Sequence, residues 1–109
     1  MAYNQELADR VRSILSANPG LAEKKMFGGL SFLLRGNMCC GVLGDDLIVR
    51  LGPEDHAQAL AQPHARPMDF TGRPMRGFVY VGREGWRSDD DLARWLQRGV
   101  DLAASLPPK

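Results

Sequence analysis

The chain has 109 residues, a formal net charge of +1 and 44% hydrophobic residues. That length supports one core and hence one domain over residues 1–109, and the near-neutral balance supplies no global field to draw in nucleic acid or an anionic membrane. No apolar run approaches membrane-spanning length, the opening MAYNQELADR lacks an apolar signal core, and two cysteines suit a reducing compartment, so the expected location is the cytoplasm.

Leu7, Val11, Ile14 and Leu15 recur at helical spacing, with Asn4 placed to cap and Glu6 in the first turn, so the spacing predicts a helix over Tyr3 to Ala17. Asn18-Pro19-Gly20 stops it. Lys24 to Leu51 then offers apolar runs broken by glycine-rich turns, the punctuation of an antiparallel meander. Strands are expected at Lys24 to Phe27, Leu30 to Leu34, Met38 to Leu43 and Leu47 to Leu51, with a kink or bulge at Gly28-Gly29.

Facing residues of an antiparallel pair point the same way, so the loop after Leu34 decides which face each side chain joins. A three-residue loop Arg35-Gly36-Asn37 groups Leu30, Phe32 and Leu34 with Met38, Cys40 and Val42 and, across Asp45-Asp46, with Leu47, Val49 and Leu51. That face is wholly apolar. A two-residue Gly36-Asn37 loop instead sets Arg50 among core residues, which is costly for an unpaired guanidinium. The three-residue loop is preferred, and it leaves Ser31, Leu33, Cys39, Gly41, Leu43, Ile48 and Arg50 on the other face.

Beyond the meander, Gly52-Pro53-Glu54-Asp55 reads as the start of a short helix that ends before Pro63. A strand is expected near Met68 to Phe70 and another from Gly77 to Val81, joined by a Gly-Pro loop, with a turn at Arg83-Glu84-Gly85. Ser88-Asp89-Asp90-Asp91 caps a final helix whose apolar stripe is Leu92, Trp95, Leu96, Val100 and Ala103, leaving Arg94, Gln97, Arg98 and Asp101 for water or a partner. The expected fold is therefore α+β: two layers, an antiparallel meander sheet with an N-terminal, a short middle and a C-terminal helix packed on it.

Four blocks carry a resemblance. KKMFGGL from Lys24 to Leu30, Gly36-Asn37-Met38, Val49-Arg50-Leu51-Gly52 and RPMDFTGRPM from Arg66 to Met75 are similar, in order and spacing, to signatures of the TfoX/Sxy N-terminal domain family, named for bacterial competence regulators. The resemblance implies a two-layer domain similar in plan to secretion chaperones. It also implies kinship with transcriptional co-activators that work with the cyclic-AMP receptor protein and carry a second, C-terminal domain; that domain is not expected in this chain.

Two groups of side chains are candidate contacts. Lys24, Lys25, Arg66, Arg73 and Arg76 can converge on a phosphate or an acidic surface, against the plainer reading of a solvated rim with Asp69 pairing one arginine. Leu33, Cys39, Leu43, Ile48 and Arg50 form a half-greasy face suited to self-association or, through Arg50, to an acidic partner. Trp86, in a polar turn between cations, either anchors an interface or folds back as a lid. Cys39 and Cys40, adjacent on a strand, are expected on opposite faces and so unable to chelate one metal together. His56 and His64 lack other ligands at metal spacing, and neither a metal nor a cofactor is expected.

No enzyme motif survives inspection. Gly29-Leu30-Ser31-Phe32-Leu33 lacks the closing glycine of a nucleophile elbow, and Thr71-Gly72-Arg73 lacks the lysine and spacing of a P-loop. The expected function is a non-catalytic protein-interaction module, with a protein partner and homodimerisation both open. The alternatives are a small-ligand or anion-binding domain, its pocket lined by Gly28-Gly29 and the Arg66 to Arg76 loop, and direct DNA binding, against which the composition argues.

Overall fold

The computed structural model describes residues 3–26, 28–52, 54–67 and 77–107. Helix α1 (Gln5–Leu15) leads into strands β1 (Leu21–Met26), β2 (Gly29–Leu34), β3 (Asn37–Leu43) and β4 (Asp46–Arg50). Helix α2 (His56–Leu60), strands β5 (Ala65–Pro67) and β6 (Phe78–Val81), and helices α3 (Arg83–Trp86) and α4 (Asp89–Ser105) follow.

Every pairing is antiparallel, in the order β1-β2-β3-β4-β6-β5. The meander ends at β4; the chain then passes through α2 to the far edge as β5 and returns as β6 between them. The edge strand lies at Ala65–Pro67, before the expected Met68 to Phe70 span, which falls outside the described residues, as does Arg73 to Arg76 of the loop.

Helix caps follow the local sequence. The Asn4 side chain accepts from the Leu7 amide at 3.0 Å, and Ser88 accepts from the Asp91 amide at 3.1 Å. The middle helix starts later than Pro53-Glu54-Asp55 suggests, at His56, and Asp55 makes no side-chain cap bond. Arg83 to Trp86, expected as a turn, is one helical turn.

The helices cover one face. Phe32, Cys40, Val42, Leu47, Val49, Val79 and Val81 on the sheet meet Leu7, Val11 and Leu15 of α1 and Leu92, Trp95, Leu96 and Ala103 of α4 in a single core. Phe32 is fully buried, while Arg50, opposite Phe78, lies on the other face with its guanidinium 5.8 Å from the Phe78 ring centre.

The inward set matches the expected parity, but the loop does not. Leu34 pairs directly with Asn37, so Arg35-Gly36 is a two-residue turn, with φ of 52° and 85°: both central residues are left-handed, as a tight hairpin turn requires. Pairing then runs Leu33 with Met38 and Phe32 with Cys40, leaving Cys39 as the extra residue of a β-bulge. The short turn and the bulge offset one another in register. Their local consequence is an exchange: Met38 moves to the reverse face with Leu33, and Cys39 turns inward, fully buried beside Cys40 with the sulfurs 3.8 Å apart.

Candidate functional site

The sheet order separates the expected cation cluster. Lys24 and Lys25 sit on β1 and Arg66 on β5, at opposite edges and so roughly 24 Å apart at ordinary strand spacing. Lys24 pairs with Ser31 and Lys25 with Leu30, so the two lysines point to opposite faces. Arg66 is 2.7 Å from Asp46 and 5.2 Å from the Tyr80 ring centre. Arg73 and Arg76 lie outside the described residues. The described members of this cluster, Lys24, Lys25 and Arg66, do not form one anion site.

The reverse sheet face does hold four of the residues expected there. Leu33, Leu43 and Arg50 are half-buried, and Ile48 is 4% exposed. Pairing adds Met38, Phe78 and Tyr80 to the same side. One expected member of the face, Cys39, and the separate interface candidate Trp86 are absent from it. Cys39 is turned into the core by the bulge, and its thiol lies 3.4 Å from the Phe32 carbonyl oxygen. Trp86 is 2% exposed and folds back on the helix side, where its indole N–H donates to the Asp45 carbonyl at 3.0 Å and Arg10 lies over its ring at 5.7 Å. Of its two readings the lid holds.

Charge on this face is unbalanced. Lys24, Arg50 and Arg66 stand against one described carboxylate, Asp46, which Arg66 engages. Arg50 has no carboxylate within ion-pair range among the described residues; its nearest polar contact there is the Met38 carbonyl at 3.5 Å, beyond good hydrogen-bond length. A guanidinium over an aromatic ring, with apolar neighbours and no carboxylate among the described residues, can donate to an incoming carboxylate in two-pronged fashion.

The helix side carries a cleft of about 650 Å³ where the α2–β5 turn, α3 and α4 meet. Pro63, His64, Gly85, Arg94, Trp95 and Arg98 line it. The walls fit closely: a methyl added at Gly85 would come within 2.6 Å of Val81 Cγ1 and 3.0 Å of His64 Cβ. His64 is held at φ 70°, a left-handed conformation uncommon outside glycine, with its carbonyl accepting from the Gly82 amide at 2.9 Å. Sequence reading assigned Arg94 and Arg98 to an outward helix face but had no signal for His64, whose place depends on a turn between two short elements. Gly28-Gly29 and Arg66 are not among the cleft's lining residues.

Among the described residues, no group of three or more His, Cys, Asp or Glu side chains is placed to hold a metal, and no helix is long and apolar enough to cross a membrane.

Fold and faces together define a two-layer α+β module with an antiparallel sheet, helices on one side and a cationic, partly apolar face on the other. A family model described as the TfoX N-terminal domain matches residues 13–103, and the chain belongs to that family. No curated protein matches it.

Proposed function

We propose that this TfoX N-terminal domain is a non-catalytic, cytoplasmic interaction module that binds an acidic protein surface through the reverse face of its sheet. The observation that carries this reading is Arg50: half-buried against Phe78, flanked by apolar side chains, and without a carboxylate partner among the described residues. Partial burial strengthens the attraction of such a cation for an incoming carboxylate, because less water screens it. Leu33 and Leu43 supply apolar area on the same face. The family's association with competence regulators suggests a regulatory setting, in which the partner is a component of the transcription machinery.

The test is capture from the native host with wild type, Arg50→Glu and a helix-side control, Arg87→Gln, each first shown to be folded by circular dichroism. A partner retained by wild type and the control but lost with Arg50→Glu supports the reading. The same proteins captured by all three would count against it. Sedimentation of the purified chain separates a second copy from a different partner.

A further inference from the structure

The helix-side cleft has features that the sheet-face reading does not use. Charge within it is mostly settled by neighbours. Asp91 is bound by Arg94 on the next helical turn, and Ser88 and Arg94 together hold its carboxyl below the usual carboxylate range. Glu84 faces Arg87 at 3.6 Å. Arg98 is the exception. Its guanidinium lies 5.4 Å from the Trp95 ring centre, and its one polar contact among the described residues is a 3.4 Å approach to the Gln58 side-chain oxygen. Glu54, Asp55 and Asp101 share with it a smaller cleft of about 290 Å³ on its other side, but none comes within ion-pair distance.

Arg98 is half-buried with its guanidinium carbon over the Trp95 indole, and among the described residues no carboxylate occupies its fork. The larger cleft is also lined by Pro63, the ring of His64 and the part of Trp95, 8% of that residue, that stays accessible. A cavity of this size is in the range that holds small organic ligands.

We propose that this cleft is a binding site for a small planar organic carboxylate, with the carboxylate on the Arg98 guanidinium and the ring against Trp95 and Pro63. The assignment is independent of the sheet-face reading: the residues are on the opposite layer, and either stands if the other fails. Two requirements follow. The charge is needed, since Arg98 is the cleft's cation left without a carboxylate among the described residues, and the flat body is needed, since Pro63, His64 and Trp95 give the wall its ring surfaces beside polar Gln62, Gln97 and the paired Glu84, Asp91 and Arg94.

The probe is benzoate, followed by proton–nitrogen correlation spectra of the whole chain. The two indole N–H signals report separately, because Trp86 is tied to the Asp45 carbonyl in the β3–β4 turn while Trp95 lines the cleft. Benzoate is expected to shift the Trp95 indole and the His64 amide saturably and leave the Trp86 indole in place. Acetate, without a ring, and benzyl alcohol, without a charge, should each bind at least about tenfold more weakly, and Arg98→Gln should lose a similar factor, while Lys25→Gln, on the far edge strand, binds as wild type. Failure of benzoate to saturate the Trp95 signal, equal affinity for benzyl alcohol or acetate, or unchanged binding by a folded Arg98→Gln variant would each overturn the assignment.

Discussion

Gly99 of α4 lies flat against the Cys39 carbonyl: a methyl group added at Gly99 would come within 2.2 Å of that oxygen. The helix therefore rests on the backbone of the bulge, with no side chain between. Gly99→Ala sets a gain of about 1 kcal/mol in helix propensity against an overpacked contact, and the contact is expected to win, for a net loss of roughly 1–2 kcal/mol. Urea denaturation checks this; a Gly99→Ala protein as stable as wild type would show that the helix does not rest there.

Two sealed thiols lie beside this contact. Cys39 and Cys40 are both fully buried, and burial pushes the Cys40 thiol well above its ordinary value. Neither should react with a disulfide reagent in the folded state, and both should react on unfolding. Rapid labelling of one thiol under native conditions would contradict the inward placement of Cys39.

Sheet parity is tested by a pair of truncations. Phe32→Ala empties a fully buried site and should cost about 3–5 kcal/mol. Leu43→Ala, on the half-buried reverse face, should cost roughly 1 kcal/mol or less. Reversed magnitudes in chemical denaturation would invert the two faces.

Arg12 holds Glu23 through two contacts of 2.6 and 2.7 Å, fastening α1 to the edge strand. Hydrogen bonds from that guanidinium lower the Glu23 carboxyl below its ordinary 4.5. A carboxyl lowered on folding adds stability above its unfolded value, and this is lost as pH falls through the folded one. Both side chains are about a third exposed or more, so the pair is worth roughly 0.5–1 kcal/mol after screening. Wild type should exceed Glu23→Gln by that amount at neutral pH. The gap should narrow as the medium is acidified below 4.5 and shrink with added salt.

Trp86 clasps the β3–β4 turn through the Asp45 carbonyl, the turn to which Asn4 also bonds, by its amide to the Gly44 carbonyl at 2.7 Å and by its side chain to Asp45 at 3.0 Å. Trp86→Phe keeps most of the ring but removes the donor, with an expected loss of about 1–2 kcal/mol. Thermal unfolding measures it, and an unchanged midpoint would mean that water replaces the indole without cost.

Most of the fold was legible because its signals are local. Ser88 and Asp91, Asn4 and Leu7, and the Leu92, Trp95 and Leu96 stripe each declare themselves within a few residues, and the resulting caps and buried stripe are observed. The inward set Phe32, Cys40, Val42, Leu47 and Val49 was legible too, because only that grouping makes one face of the meander apolar and keeps Arg50 out of the core. The bulge was not. Cys39 carries no glycine or proline to mark it, and Arg35 is a poor advertisement for a left-handed turn residue. Requiring an apolar face gave the right parity through a loop of the wrong length, and so misplaced Met38 and Cys39.

The site was legible only in part. Alternation within β2, β3 and β4, joined by the requirement that one face be apolar, placed Leu33, Leu43, Ile48 and Arg50 together on the other. Whether Lys24 and Arg66 meet depends on strand order, and the return of β6 inside β5 is a long-range choice that no local pattern records. The cleft around His64 is hidden for the same reason, being made by three elements distant in the chain.

A strand that is partnered on both sides ordinarily cannot lose a residue, because everything beyond the cut would be turned inside out. At Cys39 the opposite holds: excising that one position would leave Phe32 opposite Cys40 and Leu33 opposite Met38, as they already are, and would straighten the ladder between them. The chain thus contains a site where shortening by one keeps the strand's facing pairs and forfeits the ledge beneath Gly99 together with one buried thiol.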